Sequence, residues 1–381
     1  MAVNRGVAGV GTQPSVSIKV EMSKLYELEP EATPLVAITQ RLKKSRSVRN
    51  PRFDIQELRP LAQSTTANSY LVGATSVVVA DASIFNVNDR VVNLRTFENL
   101  LVTAVDTGTN TLTVTRAFGE TAAAAGNNND VIVRIGNVST EGASIGSMAL
   151  RQEDNAYNYC QIFREPYELT NTAKVAANYT GDLEMRLIRQ LGRKIKGDLE
   201  FAGIFGERSI ANGSTANARR ATRGIKPWIT TNTYNPAGTM TETAFAQNVL
   251  VPAGRYGSSE KILFAGENIL RCLHYYGQQK MNNFQEDNTL GFKCMRYRSP
   301  FVDLLVVRHP LFRDAATAQM GLIIDPENVC RVYMEGRDLQ LLKNRQANDL
   351  DGIKGEMLAD TGWEVTLEET HMFLNGITGP A

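Results

Sequence analysis

The chain has little of what usually announces chemistry. Three histidines, His274, His309 and His371, and four cysteines are spread over 381 residues. Cys160, Cys272, Cys294 and Cys330 form no C-x-x-C pair, which argues against a zinc knuckle, a thioredoxin-like redox motif and a dense disulfide framework. The expectation is four buried, reduced thiols. Long apolar runs are also missing. Val77 to Ala80 and Leu304 to Val307 have the length of strands, far short of the ~20 residues that cross a bilayer, so no membrane span is expected. Met1 to Ser15 carries one arginine and too little apolar sequence for a secretory leader, and residence in a cytoplasm is expected. Neither sign of charge prevails: 41 Lys plus Arg face 40 Asp plus Glu. No whole-chain field steers the protein to a polyanion, and any such contact must be local.

What is present is the composition of a folded protein. Hydrophobic residues make up 43% and charged residues 21%, outside the low-apolar, high-charge range of disordered chains. At about 150 residues per domain the length suggests two or three domains. Residues 1 to 20 have no period and read as an extended arm that needs a partner surface. Helical patterns follow at Val20 to Leu28 and Pro34 to Leu42, parted by the Pro30 to Pro34 stretch. Arg52 to Leu58 then alternates as a strand. From Ser64 to Ser139 the signal is β, with strands at Val77 to Val79, Arg90 to Leu94, Leu100 to Val105, Thr111 to Thr115 and Val131 to Ile135. The loop Arg116 to Asn129 reads as exposed and mobile. This β module interrupts the surrounding α/β pattern as an insertion would.

The strongest helix signal runs from Thr180 to Phe205. Leu183, Leu187, Ile188, Leu191, Ile195, Leu199 and Ala202 recur at helical spacing, with Arg186, Arg189, Arg193, Lys194, Lys196 and Glu200 around the other side. Thr180 reads as the cap, with Asp182 and Glu184 in the positive first turn. Gly192, Gly197 and Gly203 lie inside it at about 1 kcal/mol each against alanine, so the helix depends on packing. Downstream, strands at Lys261 to Phe264, Leu304 to Val307 and Gly321 to Ile324 alternate with helices at Glu242 to Val249 and Glu267 to Tyr276. The pattern closes with a hairpin strand, Gln340 to Lys343, and a long strand, Trp363 to Phe373.

Catalytic templates fit poorly. Gly142-Ala143-Ser144-Ile145-Gly146 matches G-x-S-x-G, but a nucleophile elbow needs a strand feeding the serine and a helix leaving it, and neither flanks Ser144. Gly192 to Gly197 has P-loop spacing, with Asp198 where the lysine belongs, so a phosphate would be repelled. Asn348 to Gly352 hints at a calcium loop, yet Ala347 and Leu358 fall on ligand positions. No catalytic residue, cofactor site or metal ligand is assigned. Two basic clusters remain. Arg41, Lys43, Lys44, Arg46, Arg49 and Arg52 have no acid among them, and Arg219, Arg220 and Arg223 form the second. Solvation, pairing with another subunit and contact with packaged nucleic acid are all open to them.

The order of segments resembles the tailed-phage major capsid proteins of the Hong Kong 97-type fold, in the subfamily with a β-domain insertion in the extended loop. Leu28 to Leu35 followed by Arg52 to Leu58 is similar to that subfamily's opening. Val87 to Arg90, Leu101 to Val105 and Thr111 to Arg116 resemble its inserted domain. Asn158 to Phe163, Glu168 to Thr170 and Ile195 to Glu200 look like the approach to the spine helix and its body. Arg223 to Ile229 and Trp363 to Glu368 complete a likeness that spans nearly the whole chain.

The resemblance implies an α+β capsid fold and a structural role rather than an enzymatic one. It divides the chain into an N-terminal arm (1–45), extended-loop strands (46–63 and 140–165), an inserted barrel-like β module (64–139), a peripheral domain (166–240 and 341–381) built on a spine helix at 180–205, and an axial domain (241–340). The implied product is an icosahedral shell of hexamers and pentamers around double-stranded DNA, assembled in a bacterial cytoplasm and resident in the virion. Implied partners are further copies, a portal protein, a scaffolding protein encoded separately, a decoration protein and DNA bound without sequence preference. The six basic residues from Arg41 to Arg52 become an expected interface or DNA-facing cluster, and Gly192 and Gly197 expected flex points of the spine. An encapsulin-type compartment and a hydrolase using Ser144 are the competing readings.

Overall fold

Ile195 and Leu199 fall on one side of a 3.6-residue helix and are buried in the α-helix Leu183–Phe205, as is Ile204 near its C-terminal end. The computed structural model describes residues 33–58, 62–139, 141, 153–175, 183–213, 217–279, 284–287 and 294–381. Thr180 and Asp182, the expected start of that helix, and the helical pattern at Val20 to Leu28 lie outside them. The helix packs on a five-stranded sheet. Its strands run in the order Ser45–Val48, Val329–Met334, Gly352–Val365 and Gln161–Thr170, with Gln340–Leu342 also beside Gly352–Val365. Gln161–Thr170 alternates, turning Phe163, Tyr167 and Leu169 inward, and it pairs antiparallel with Gly352–Val365 along its full length, Phe163 opposite Ala359. Period-2 alternation fixes that register, because a slip of one residue would turn all three aromatic and aliphatic side chains outward.

A seven-stranded sheet is built around Glu260–Ala265, parallel to Asp303–Arg308 on one side and antiparallel to Gly321–Ile324 on the other. Lys261 through Ala265 are consecutively buried, the mark of a strand covered on both faces. Ile262 and Phe264 join the core of the long helix, while Leu263 and Ala265 face Phe245, Val249, Ile269 and Leu273. The helix expected at Glu242 to Val249 is α at Glu242–Phe245, π at Ala246–Leu250 and α again at Val251–Ala253. Thr241 caps it, its hydroxyl accepting from the Ala244 amide.

The expected strand Trp363 to Phe373 is not one strand. Gly352–Val365 ends just beyond Trp363, Leu367 turns the chain at φ 50°, a short 3-10 turn follows at Glu368–Thr370, and Met372–Leu374 joins the other sheet. The break lets the Glu368 carboxylate reach the amides and hydroxyls of Thr230 and Thr231. Sheet membership also cuts the chain at places other than 241 and 340. Thr233–Tyr234 and Met372–Leu374 lie in the seven-stranded sheet, and Val329–Met334 lies in the five-stranded one.

The chain divides into two compact units, one of Met1–Ile55 with Asn155–Ala381, the other Gln56–Asp154. Arg52–Glu57 and Asp154–Tyr159 pair with each other. The second unit holds a six-stranded sheet ordered Ser64–Ala67, Asp130–Asn137, Asp89–Asn93, Asn99–Asp106, Thr111–Thr115 and Ser76–Val78. Its two edges meet: Ala67 bridges Val79, the Asn68 amide donates to the Val78 carbonyl at 2.9 Å and the Ala80 amide to that of Thr66 at 2.8 Å. Closure removes the exposed edges a flat sheet would offer. Val77, Val91, Leu100, Val102, Leu112, Val114 and Ile132 fill the interior.

Candidate functional site

Helix Pro34–Arg41 begins with a proline, and its first amide donors need an acceptor that the sequence nearby does not supply. The acceptor comes from the long helix. Glu200 receives the Leu35 amide at Oε1, 2.6 Å, and the Val36 amide at Oε2, 2.9 Å, and His309 Nε2 lies 3.0 Å from the same Oε1. Glu200, Leu35 and His309 are essentially unexposed. The Leu311 amide donates to His309 Nδ1, so Nε2 carries the proton and donates to Glu200. One carboxylate thus ties the first described helix, the long helix and the segment after Asp303–Arg308. Sequence reading missed it, because Glu200 looks like one more polar residue on a helix whose other side is apolar.

The far end of the long helix is held by contact rather than charge. A Cβ on Gly203 would sit 2.6 Å from Trp363 Cε2, so only glycine lets the buried indole lie on the helix backbone. Asn158, fully buried, fastens the strand beside it. Its amide donates to the Trp363 carbonyl at 2.6 Å and to that of Arg223 at 2.9 Å, while its oxygen accepts from the Arg223 amide. Gly192 and Gly197 behave differently: Gly192 has only Met357 at 3.8 Å, and Gly197 has open space.

Four of the six residues in the first basic cluster find acids, three of them far away in sequence and one, Asp54, two residues on. Lys44 pairs with Glu327 at 2.8 Å, Arg46 with Glu364 at 2.5 Å, Arg49 with Glu335 at 2.7 Å, and Arg52 with Asp54 at 3.1 Å. The cause is Ser45–Val48 lying parallel beside Val329–Met334 at the sheet edge. Exposed pairs of this kind contribute about 0–1 kcal/mol each. Arg41 and Lys43 are exposed beside the end of the first helix.

The second cluster gathers more cations. Guanidinium carbons of Arg52 and Arg208 lie 4.2 and 3.8 Å from the centre of the Tyr157 ring. Arg208 also donates to the Tyr157 carbonyl at 2.6 Å. Arg223 stacks on Trp228 at 4.4 Å, and its Nε is buried without a partner. Burial, and then the like charge of Arg208, depresses its pKa. Arg219 and Arg220 stand on the adjoining strand Arg219–Ala221.

In the β unit, buried ion pairs pin the loop that sequence alone marks as mobile. Arg116 grips Glu98 through two nitrogens at 2.7 and 2.8 Å and also donates to the carbonyls of Leu71, Ala74 and Ala124. Glu98 accepts the amides of Ala117 and Ala124. Burial alone would raise the Glu98 pKa, but Arg116 and those amides outweigh it and hold it below the usual range. Tyr70 and Gly126 bridge across the same loop. Arg95 binds Asp130 at 2.7 Å and holds its carboxyl well below the ordinary value.

Two further titratable groups are buried under the seven-stranded sheet. Lys261 donates to the carbonyls of Tyr256 and Thr370 at 2.8 and 2.6 Å, and burial lowers its pKa to about 8 against the pull of Asp325. His371 accepts the Asp325 amide at Nδ1, and burial lowers its pKa to about 4. Cys160, Cys272 and Cys294 are buried and Cys330 half-buried, all as free thiols. A cleft of about 450 Å³ lined by Arg164, Glu168, Arg345, Lys354 and Glu356 is closed electrostatically by pairs within it, Arg164 with Glu356 at 3.0 Å and Lys354 with Glu168 at 3.1 Å. Ser144 and its flanking glycines lie outside the described residues. Among the described residues no helix is long and apolar enough to cross a membrane, and no group of three metal-ligating side chains converges.

These interactions anchor and shape; the carboxylates and histidines placed so far are taken up in holding segments together. A family model described as SU10 major capsid protein matches residues 20–378. Among solved structures the chain is similar to the capsid of a native GTA particle, at 11% identity, 100% of each chain covered and a TM-score of 0.50. It is also similar to a chain of Microbacterium phage Oxtober96, at 11% identity, 97% of this chain and 99% of that chain covered and a TM-score of 0.47. A third likeness is to the holo-SrpI encapsulin complex of Synechococcus elongatus PCC 7942, at 8% identity, 60% and 78% covered and a TM-score of 0.45. No curated protein matches.

Proposed function

The chain belongs to the SU10 major capsid protein family, and from that premise we propose that its copies close as hexamers and pentamers into a shell around double-stranded DNA. The protein is a structural subunit of the virion capsid, with the Hong Kong 97-type fold. The family match over residues 20–378 carries the reading. A heterologous contact closes into a ring only when its rotation fits, so one subunit serving rings of five and of six needs a rigid body with adjustable attachments. The Glu200 clasp and the Gly203–Trp363 contact supply rigidity within the body. Several modest contacts per subunit, linked on one chain, multiply effective affinity without any single strong interface. Portal, scaffolding and decoration proteins are partners that such a shell requires or accepts.

Negative-stain microscopy and sedimentation of the purified recombinant protein test the reading. Closed shells or capsomers are expected. A species that stays a single copy at every concentration and ionic strength overturns it. Particles filled with protein cargo instead of nucleic acid would select the encapsulin-type compartment.

A further inference from the structure

Two basic clusters stand out in the sequence, and the fold treats them oppositely. The first is largely neutralised by Glu327, Glu335, Glu364 and Asp54. Around the second, no carboxylate among the described residues comes within ion-pair distance of Arg208, Arg219, Arg220 or Arg223. Glu207 and Asp360 act on Arg223 and Arg220 only from beyond contact, so the guanidiniums repel one another at a Coulomb cost that folding must offset elsewhere. The site also holds its donors in fixed positions. Arg208 is stacked on Tyr157, Arg223 is stacked on Trp228, and Arg223 Nε is an orphaned buried donor. A stacked guanidinium has its planar fork pre-set, which suits the oxygens of a phosphate. The arginines come from two segments of one unit: Arg208 just after the long helix, and Arg219, Arg220 and Arg223 from the return strand and the turn after it.

We propose that Arg208, stacked on Tyr157, Arg223, stacked on Trp228, and Arg219 and Arg220 form a phosphate-backbone site for nucleic acid, and that this face of the subunit is turned toward the genome. The inference rests on the reading of the protein as a shell around DNA, and deepens it by assigning the face. Recognition is by charge and stacking geometry, so it is independent of base sequence.

The test is binding of the full chain to a short labelled duplex across a salt series. The triple variant Arg208→Gln, Arg219→Gln, Arg220→Gln is compared with a charge-matched control, Lys194→Gln, Arg296→Gln, Arg308→Gln, whose residues pair with Glu165, Glu260 and Glu267. The site variant is expected to bind at least about tenfold more weakly at low salt, with a log–log salt slope shallower by about 3. The control is expected to keep the wild-type slope. Equal behaviour of the two variants overturns the proposal, as does a site variant that loses assembly but retains DNA binding, which would assign the arginines to a second copy. Should the site variant fail to fold, dicarbonyl modification of wild-type arginines, read by mass spectrometry, replaces it: the duplex is expected to protect Arg208 and Arg220. Equal protection by inorganic phosphate at the same phosphate concentration overturns the polymer reading. Microscopy on the same preparations keeps the two ideas apart, since absent shells with intact arginine-dependent binding remove only the shell.

Discussion

Glu200 and His309 meet at 3.0 Å across 109 positions of sequence, neither side chain exposed. The same carboxylate accepts two amides at the start of helix Pro34–Arg41. Charge-assisted hydrogen bonds to helix N-terminal amides are among the stronger ones. Glu200→Gln keeps the shape but offers one acceptor where two are needed, and is expected to cost about 2–3 kcal/mol of stability. Glu200→Ala leaves the amides and His309 unpaired and should cost more. Urea unfolding midpoints of the unassembled protein measure both, and a Glu200→Gln midpoint equal to wild type would refute the clasp.

The three glycines of the long helix are expected to separate on substitution. Gly203→Ala drives a methyl into Trp363 and should destabilise by about 1–3 kcal/mol despite the gain in helix propensity. Gly197→Ala meets open space, Gly192→Ala only ordinary contact with Met357, and each should stabilise by up to about 1 kcal/mol. Thermal unfolding reads these signs. If Gly192 and Gly197 are flex points of the spine, the double variant will be more stable as a free subunit yet impaired in assembly or in shell expansion. Unimpaired shells would remove that role.

Stability should respond to pH in two windows. Between about 8 and 10.5 the folded chain has released the Lys261 proton while the unfolded chain keeps it, so the unfolded state binds more protons and stability rises with pH. Between about 4 and 6.5 the unfolded chain protonates His371 while the folded chain does not, so stability falls as pH falls through that window. Denaturation midpoints measured against pH, with Lys261→Met and His371→Gln as partners, should lose the alkaline rise and the acid fall respectively.

In the β unit, Arg116→Met strands Glu98, a buried carboxylate, without its cation. Breaking one side of a buried pair costs about 3–5 kcal/mol. The loop of residues 117–129 loses its contact at the Ala124 carbonyl at the same time, and the carbonyls of Leu71 and Ala74 lose theirs. Limited proteolysis is expected to shift to this loop in the variant, while wild type resists cleavage there. Equal cleavage of both would show that the ion pair does not hold the loop.

Much of the fold is legible in local pattern. Alternation marks Thr111–Thr115, and Asp89–Asn93 and Asn99–Asp106 lie within a residue of the strands read from sequence. The apolar stripe marks the long helix. The failures share a cause. Trp363 to Phe373 reads as one strand because its residues suit a strand, and only the pull of Glu368 toward Thr230 and Thr231 shows why the chain turns at Leu367. Loop Arg116 to Asn129 reads as loose because alanines and asparagines carry no local order, and its restraint comes from Glu98, Tyr70 and Asp130 elsewhere in the chain.

By itself the sequence determined where the strongly periodic elements form, the long helix and the strands of the β unit among them, since periodicity is a property of neighbours along the chain, and it determined that no global charge directs the protein to a partner. Which charges are free was decided only by the tertiary structure. The two basic clusters are alike as strings. Strand pairing carries Glu327, Glu335 and Glu364 to the first, while the turn after the long helix carries Arg208 to the second. Coulomb energy depends on separation in space, and residues 283 or 318 positions apart have no separation until the chain has folded.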